Sequence, residues 1–167
     1  MYNETRGLVN YTVRHMKSFN PIIDIDNADV LLDSDGEWPS FHDGELYSTS
    51  IWNGDLRPDD NIWIGPEIIT SIGILGPKGE MPYAILKIKF KDCDLIRYSG
   101  PGLGCPMIYD LEFSYEERGF LNDGITPLTP YIHVLFKNTP DTEPLLSFRC
   151  MSAQGISREP PNGSPYA

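Results

Sequence analysis

Several short runs of the chain alternate apolar and polar positions, and that period of two marks strands with one buried face. Met107, Tyr109, Leu111, Phe113 and Tyr115 alternate with Ile108, Asp110, Glu112, Ser114 and Glu116, so residues 107–116 read as a strand with one apolar and one largely acidic face. Ala84, Leu86, Ile88 and Phe90 alternate with Tyr83, Ile85, Lys87 and Lys89. Ile132, Val134 and Phe136 alternate with Tyr131, His133 and Leu135, and Leu146, Phe148 and Cys150 with Leu145, Ser147 and Arg149. Residues 45–52 and 67–75 join them through their β-branched and aromatic content. In the first of these, Trp52 shares a face with Leu46, which predicts a core position; Trp38 fits core and surface equally. In the second, Gly65-Pro66 and Gly73 predict a bulge or an edge position.

Turn-forming residues separate the runs, among them Asn53-Gly54-Asp55, Gly76-Pro77-Lys78-Gly79, residues 99–104, Asn122-Asp123-Gly124 and Asn138-Thr139-Pro140. Short strands so punctuated predict a mainly β fold, with α+β as the variant: antiparallel sheets in a sandwich or roll. One short helix is expected near the N-terminus, with Asn27 capping a turn through Ala28, Val30, Leu31 and Leu32 and Asp29 near its positive end. Residues 5–17 suit a helix through Leu8, Tyr11 and His15 or a strand through Val9, Tyr11 and Val13; the reading leans to strand. The expected organisation is a single β-rich domain over residues 1–158 and a loose tail over 159–167, where Pro160, Pro161, Gly163 and Pro165 leave nothing to bury.

Composition sharpens this picture. A chain of 167 residues buries a sizeable core without a staple, and 15 Gly with 15 Pro argue against long helices. The net charge of −11 is the larger constraint, because residues 18–77 carry twelve carboxylates and a single base, Arg57. The rest of the chain is neutral. Such a balance excludes nucleic acid and anionic membranes as natural ligands, and it admits a basic partner, a cation or simply a solvated surface. No apolar run approaches the roughly 18 residues of a membrane span, and the N-terminus lacks a basic-then-apolar leader. Cys93, Cys105 and Cys150 are odd in number and form no CxxC pair, so free, mostly buried thiols in the cytoplasm are expected, with one disulfide plus a free thiol as the alternative.

Candidate chemistry is sparse. Counted from Asp33, an EF-hand loop would need Gly at Trp38 and Glu at Gly44, so the acidic run Asp33-Ser34-Asp35-Gly36-Glu37 fails that test. His42-Asp43-Gly44-Glu45 offers three metal ligands in four residues, but zinc normally takes several His or Cys, and the other histidines are His15 and His133. The plainer reading is a hydrogen-bonded turn leading into a strand, with Asp43 fixing the His42 tautomer or the backbone. Nucleophile elbows are absent, and Gly100-Pro101-Gly102-Leu103-Gly104 leads into a strand instead of a helix, so it is a turn and not a dinucleotide loop. Neither catalysis nor a cofactor or metal is expected.

The run Glu37-Trp38-Pro39-Ser40-Phe41-His42-Asp43-Gly44-Glu45 resembles the signature segment of the immunity protein 50 family, in which a Trp-Pro-Ser-Phe-His-Asp run leads into the first core strand. Residues 84–95, 107–116 and Leu146-Ser147-Phe148-Arg149-Cys150 resemble later strands of that family more loosely, so the likeness spans roughly residues 28–156. It implies an antidote that protects a bacterium by binding one cognate toxin. A segment shared among antidotes to different toxins is expected to be structural, which assigns Trp38, Pro39, Phe41, His42, Asp43 and Glu45 to the scaffold. The neighbouring acids Asp24, Asp26, Asp29, Asp33, Asp35 and Glu37 become the expected toxin-binding residues, suited to the basic cleft of a nuclease toxin. Two other readings stay open: a β-sandwich module binding carbohydrate or another ligand through Trp38, Trp63 and nearby acids, and a metal-dependent enzyme using His42, Asp43 and Glu45.

Overall fold

The computed structural model describes residues 18–57, 59–75, 84–99, 106–139 and 143–160. A short helix α1 (Pro21–Asp24) and a 3-10 turn (Ala28–Leu31) precede the strands. These are β1 (Gly44–Trp52), β2 (Asp55–Leu56), β3 (Trp63–Ile64), β4 (Glu67–Ile74), β5 (Ala84–Lys91) and β6 (Asp94–Tyr98), then β7 (Met107–Ile108), β8 (Asp110–Glu116), β9 (Tyr131–Lys137), β10 (Leu146–Cys150) and β11 (Ser152–Glu159). All strand pairings are antiparallel. One sheet has the order β11-β5-β4-β1-β7, a second β6-β10-β9-β8, and β2 with β3 forms a small hairpin of its own.

The two larger sheets meet over one core. β5, β9 and β10 alternate buried and half-buried positions throughout, and their inward side chains include Leu86, Ile88, Phe90, Val134, Phe136 and Phe148. The Phe90 ring of one sheet sits edge-on to Phe148 of the other at 4.8 Å between centroids. Among the described residues, three tight corners carry the chain between the sheets: Asp92 and Cys93 between β5 and β6, Tyr109 between β7 and β8, and Met151 between β10 and β11. Strands that change sheet at a bend are how a sandwich closes its corners.

Those corners explain where the alternation pattern misleads. Met107 and Tyr109 are exposed and Ile108 is fully buried, the reverse of the expected face, because the chain turns at Tyr109 from one sheet to the other. From Leu111 onward the expected face is the inward one. In β1 a bulge between Leu46 and Ser48 inserts one residue, so Leu46 opposite Ile72 points inward but Trp52 opposite Glu67 does not. Trp52 is 43% exposed and lies outside the core. The bulge expected on residues 67–75 is thus carried by the partner strand. β4 itself is central and pairs without a break along β5, and Gly73 accommodates the Tyr47 ring.

The helical region also differs from expectation. Asn20 caps α1 by accepting from the Ile22 amide at 3.1 Å, with Pro21 at the first helical position. Asn27 precedes the 3-10 turn in a left-handed conformation (φ 57°) without capping it; its Nδ2 donates instead to the Gly155 carbonyl at 3.0 Å. β11 runs through Glu159, the first residue assigned to the tail, and pairs it with Ile85. The strand expected within residues 5–17, the turn at 76–79 and the remainder of the tail beyond Pro160 lie outside the described residues.

Candidate functional site

Residues 20–37 hold six of the carboxylates, and they form a strap that closes one side of the sandwich. At its start the Phe19 ring stacks on Phe113 of β8 at 5.1 Å, and the Tyr115 hydroxyl donates to the Asp24 carboxylate. Burial, with that carboxylate beside it, pushes the Tyr115 phenol up to about 12. The strap then crosses to the other sheet. The Asp26 amide donates to the Ala153 carbonyl at 2.9 Å and the Asp26 carbonyl accepts from the Gly155 amide at 2.8 Å, a parallel bridge along the edge of β11. Ile25, Ala28 and Leu31 bury themselves against the core, and Arg158 Nη1 donates to the carbonyls of Leu31 and Leu32 at 3.0 Å each. Gly155 is required here: a Cβ would stand 2.5 Å from the Asn27 carbonyl oxygen.

The six acids proposed from sequence therefore divide. Asp24 accepts from the Asn20 amide at 2.7 Å as well as from Tyr115, and Asp33 Oδ1 accepts from the amides of Asp35 and Glu37 at 2.9 and 3.0 Å. The Glu37 amide, aided by those of Asp35 and Gly36, holds the Asp33 carboxyl below its ordinary pKa. Both residues shape the strap. Asp26, Asp29, Asp35 and Glu37 are exposed, and among the described residues their carboxylates take no hydrogen bond. These four present charge to solvent along one short, tethered segment.

The strap ends at the Trp38-Pro39-Ser40-Phe41-His42-Asp43 run, whose residues have two kinds of place. Phe41 and Pro39 are buried, and the half-buried Trp38 packs on Phe41 at 5.8 Å and edge-on to Phe113 at 6.3 Å. The Gly44 amide closes a turn onto the Phe41 carbonyl at 2.9 Å, and Gly44 itself is needed because a Cβ would meet the Gly73 oxygen at 2.9 Å. His42 and Asp43 are exposed. A carboxylate only accepts, so His42 Nδ1 donates to Asp43 Oδ2 at 2.8 Å, which leaves Nε2 as the acceptor of the neutral ring. Asp43 occupies the left-handed region at φ 62°, and the His42 ring lies 4.9 Å from Tyr109. Glu45 turns away into β1, and its Oε2 is buried with no hydrogen-bond partner among the described residues.

Between these parts opens a cleft of about 470 Å³, walled by Phe19, Trp38, His42, Tyr109, Asp110 and Phe113 together with their neighbours. The two ends of the acidic strap thus meet across one aromatic depression. Periodicity marked Tyr109 and Phe113 as strand residues only, and Phe19 carried no signal at all; the cleft exists because the sheet-switch at Tyr109 brings β8 beside the Trp38 run. Among the described residues no group of three His, Cys, Asp or Glu is placed to hold a metal ion. No helix among them is long and apolar enough to cross a membrane.

A second surface lies on the β2–β3 hairpin. Leu56 and Trp63 face each other across it, Trp63 is 58% exposed, and the segment from Asp55 to Trp63 also carries the exposed Ile62 and the carboxylates Asp55, Asp59 and Asp60. The hairpin is internally closed by the Arg57 amide on the Ile62 carbonyl at 2.9 Å and tied to the sandwich by the Gly65 amide on Asp92 Oδ1 at 3.2 Å.

The chain matches no family model, no curated protein and no solved structure.

Proposed function

We propose that the protein is a cytoplasmic antidote that neutralises a basic bacterial toxin domain by stoichiometric binding, without catalysis. The observation that carries the reading is the strap: four exposed carboxylates, Asp26, Asp29, Asp35 and Glu37, on a segment fixed to both sheets and ending at an aromatic cleft. A protein surface that captures a phosphate-binding cleft needs that combination. Carboxylates complement the cleft's lysines and arginines and steer encounter, and aromatic side chains slow release. The segment's likeness to the immunity protein 50 family supports the same reading, with Trp38, Pro39, Phe41 and Gly44 building the turn that positions the strap. On this reading the partner is a basic toxin domain, to be sought in the gene next to this one. Co-expression of the two should restore growth, and the purified pair should run as one complex of fixed stoichiometry. Unrelieved toxicity with no complex would contradict the proposal.

The hairpin favours a second reading, a module that binds carbohydrate or another ligand through exposed tryptophans. Titration with oligosaccharides would then shift tryptophan fluorescence, and Trp63→Ala would abolish the shift with the fold intact. A flat titration discards this reading.

A further inference from the structure

We propose that the cleft beside the strap is a receptor for an arginine side chain presented by the protein partner. The inference deepens the binding function above and rests on it for the partner's identity; the chemistry of the cleft stands separately. Its walls are the faces and edges of aromatic rings: Phe19 and Phe113 stacked at 5.1 Å and 15°, Trp38 edge-on to Phe113 at 74°, and Tyr109 beside His42. Ring faces carry negative quadrupole density and attract cations. The one charged residue in its described lining is a carboxylate, Asp110, and the His42 ring in its wall is hydrogen-bonded to a second, Asp43. Lys137, across the strand pair from Asp110, is committed to Glu112 Oε1 at 2.6 Å, so it does not neutralise the rim.

That lining selects among occupants. An anion would face Asp110, with no lysine or arginine among the described residues of the wall to receive it. A purely apolar group would cover Asp110, His42 and Ser40 without satisfying them. A guanidinium satisfies both halves of the site. It is flat, stacks on aromatic faces, sheds water more readily than an ammonium and donates in a fork to carboxylates. The volume of about 470 Å³ exceeds one such head group and leaves room for its stem and the adjoining peptide. Charge on the strap brings a basic partner to this side of the molecule, and the cleft then takes one arginine from it.

The test uses the full chain and four synthetic peptides, each with four glycine-spaced copies of arginine, lysine, citrulline or leucine, titrated by calorimetry and by amide NMR. The arginine peptide is expected to bind with Kd on the order of 1 mM or tighter and to lose about tenfold when citrulline replaces the charge. The Trp38 indole N–H signal should move and that of Trp63 should not. Asp110→Asn keeps an Oδ1 acceptor for the Leu111 amide, which it holds at 2.8 Å, and so keeps the local fold. This variant should weaken the arginine peptide about fivefold or more with an unchanged melting temperature. Lysine or leucine binding equal to arginine would overturn the assignment, as would citrulline binding equally or arginine not binding at all. If Asp110→Asn left affinity unchanged and charge reversal of the strap abolished it, the peptide site would be the strap and the proposal wrong. A chain that binds the arginine peptide in the cleft yet ignores the neighbouring toxin domain would sink the antidote reading alone.

Discussion

Cys93 and Cys150 sit at a corner where β5 gives way to β6 and β10 to β11, both buried and both free. Burial disfavours the thiolate: the Cys93 thiol is pushed up to about 12, and Cys150 is pushed up as well. Neither is a nucleophile at neutral pH. Iodoacetamide at pH 8 should therefore leave both unmodified in the native protein and alkylate both in denaturant, as intact mass and peptide mapping would register; rapid native modification of either would contradict their placement. Arg149 shows the opposite case, a charge satisfied on a strand's outer face. Its Nε and Nη2 donate to the two Asp94 oxygens at 2.9 and 2.7 Å, and its guanidinium lies 4.4 Å over the Tyr131 ring. That fork holds the Asp94 carboxyl below its ordinary pKa. A depressed carboxyl stabilises the fold above its unfolded pKa and loses that contribution as pH falls through the folded value. Asp94→Asn should accordingly lower the melting temperature at pH 7, and the gap from wild type should close below about pH 4. A gap that stayed constant down to pH 2 would rule the ion pair out as its cause.

At the scale of elements, legibility followed burial. β5, β9 and β10 are covered on one face along their length, so their alternation stood out in the sequence and the structure repeats it. β11 reads Ser-Ala-Gln-Gly-Ile-Ser-Arg-Glu and has little apolar signal, because the strap, and not an apolar side chain of its own, fills the space at Gly155. β6 was hidden for a similar reason: it is an edge strand whose Asp94 and Arg97 serve the outer face and the pairing with β10. Trp52 was misplaced by one inserted residue in β1, which no pattern of period two reveals. The strap was visible as acidity but not as a bridge between sheets, since its contacts join Asp26 to Ala153 and Asn27 to Gly155 across more than a hundred residues. Gly155→Ala tests that bridge. The new methyl cannot share space with the Asn27 carbonyl, so the strap must lift, and overpacking of this kind costs about 1–3 kcal/mol. Thermal unfolding should show the loss, and the Asp26 amide should exchange faster with deuterium; unchanged exchange there would mean the strap is not held by β11.

For the whole molecule, the distribution of charge matters more than its total. The excess of eleven negative charges arises in residues 18–77, yet the fold spends part of it internally. Asp24 and Asp33 shape the strap, Asp43 orients His42, Glu45 buries an oxygen, and Glu67 pairs with Lys89 at 2.7 Å. Asp55, Asp59 and Asp60 belong to the hairpin. What remains exposed on the strap is the set Asp26, Asp29, Asp35 and Glu37, smaller than the sequence total and confined to one tethered segment. The proposed interface is these four. If the proposed function holds, the decisive measurement is the association rate of a toxin domain taken from the adjacent gene with wild type and with the variant Asp26→Lys, Asp29→Lys, Asp35→Lys and Glu37→Lys, by stopped flow across a range of salt. Wild type is expected to associate at roughly 10⁸ M⁻¹s⁻¹ in low salt and to slow steeply as salt rises, and the variant to fall by about tenfold or more with a flattened salt dependence. Equal rates and equal salt slopes in the two proteins would contradict the account.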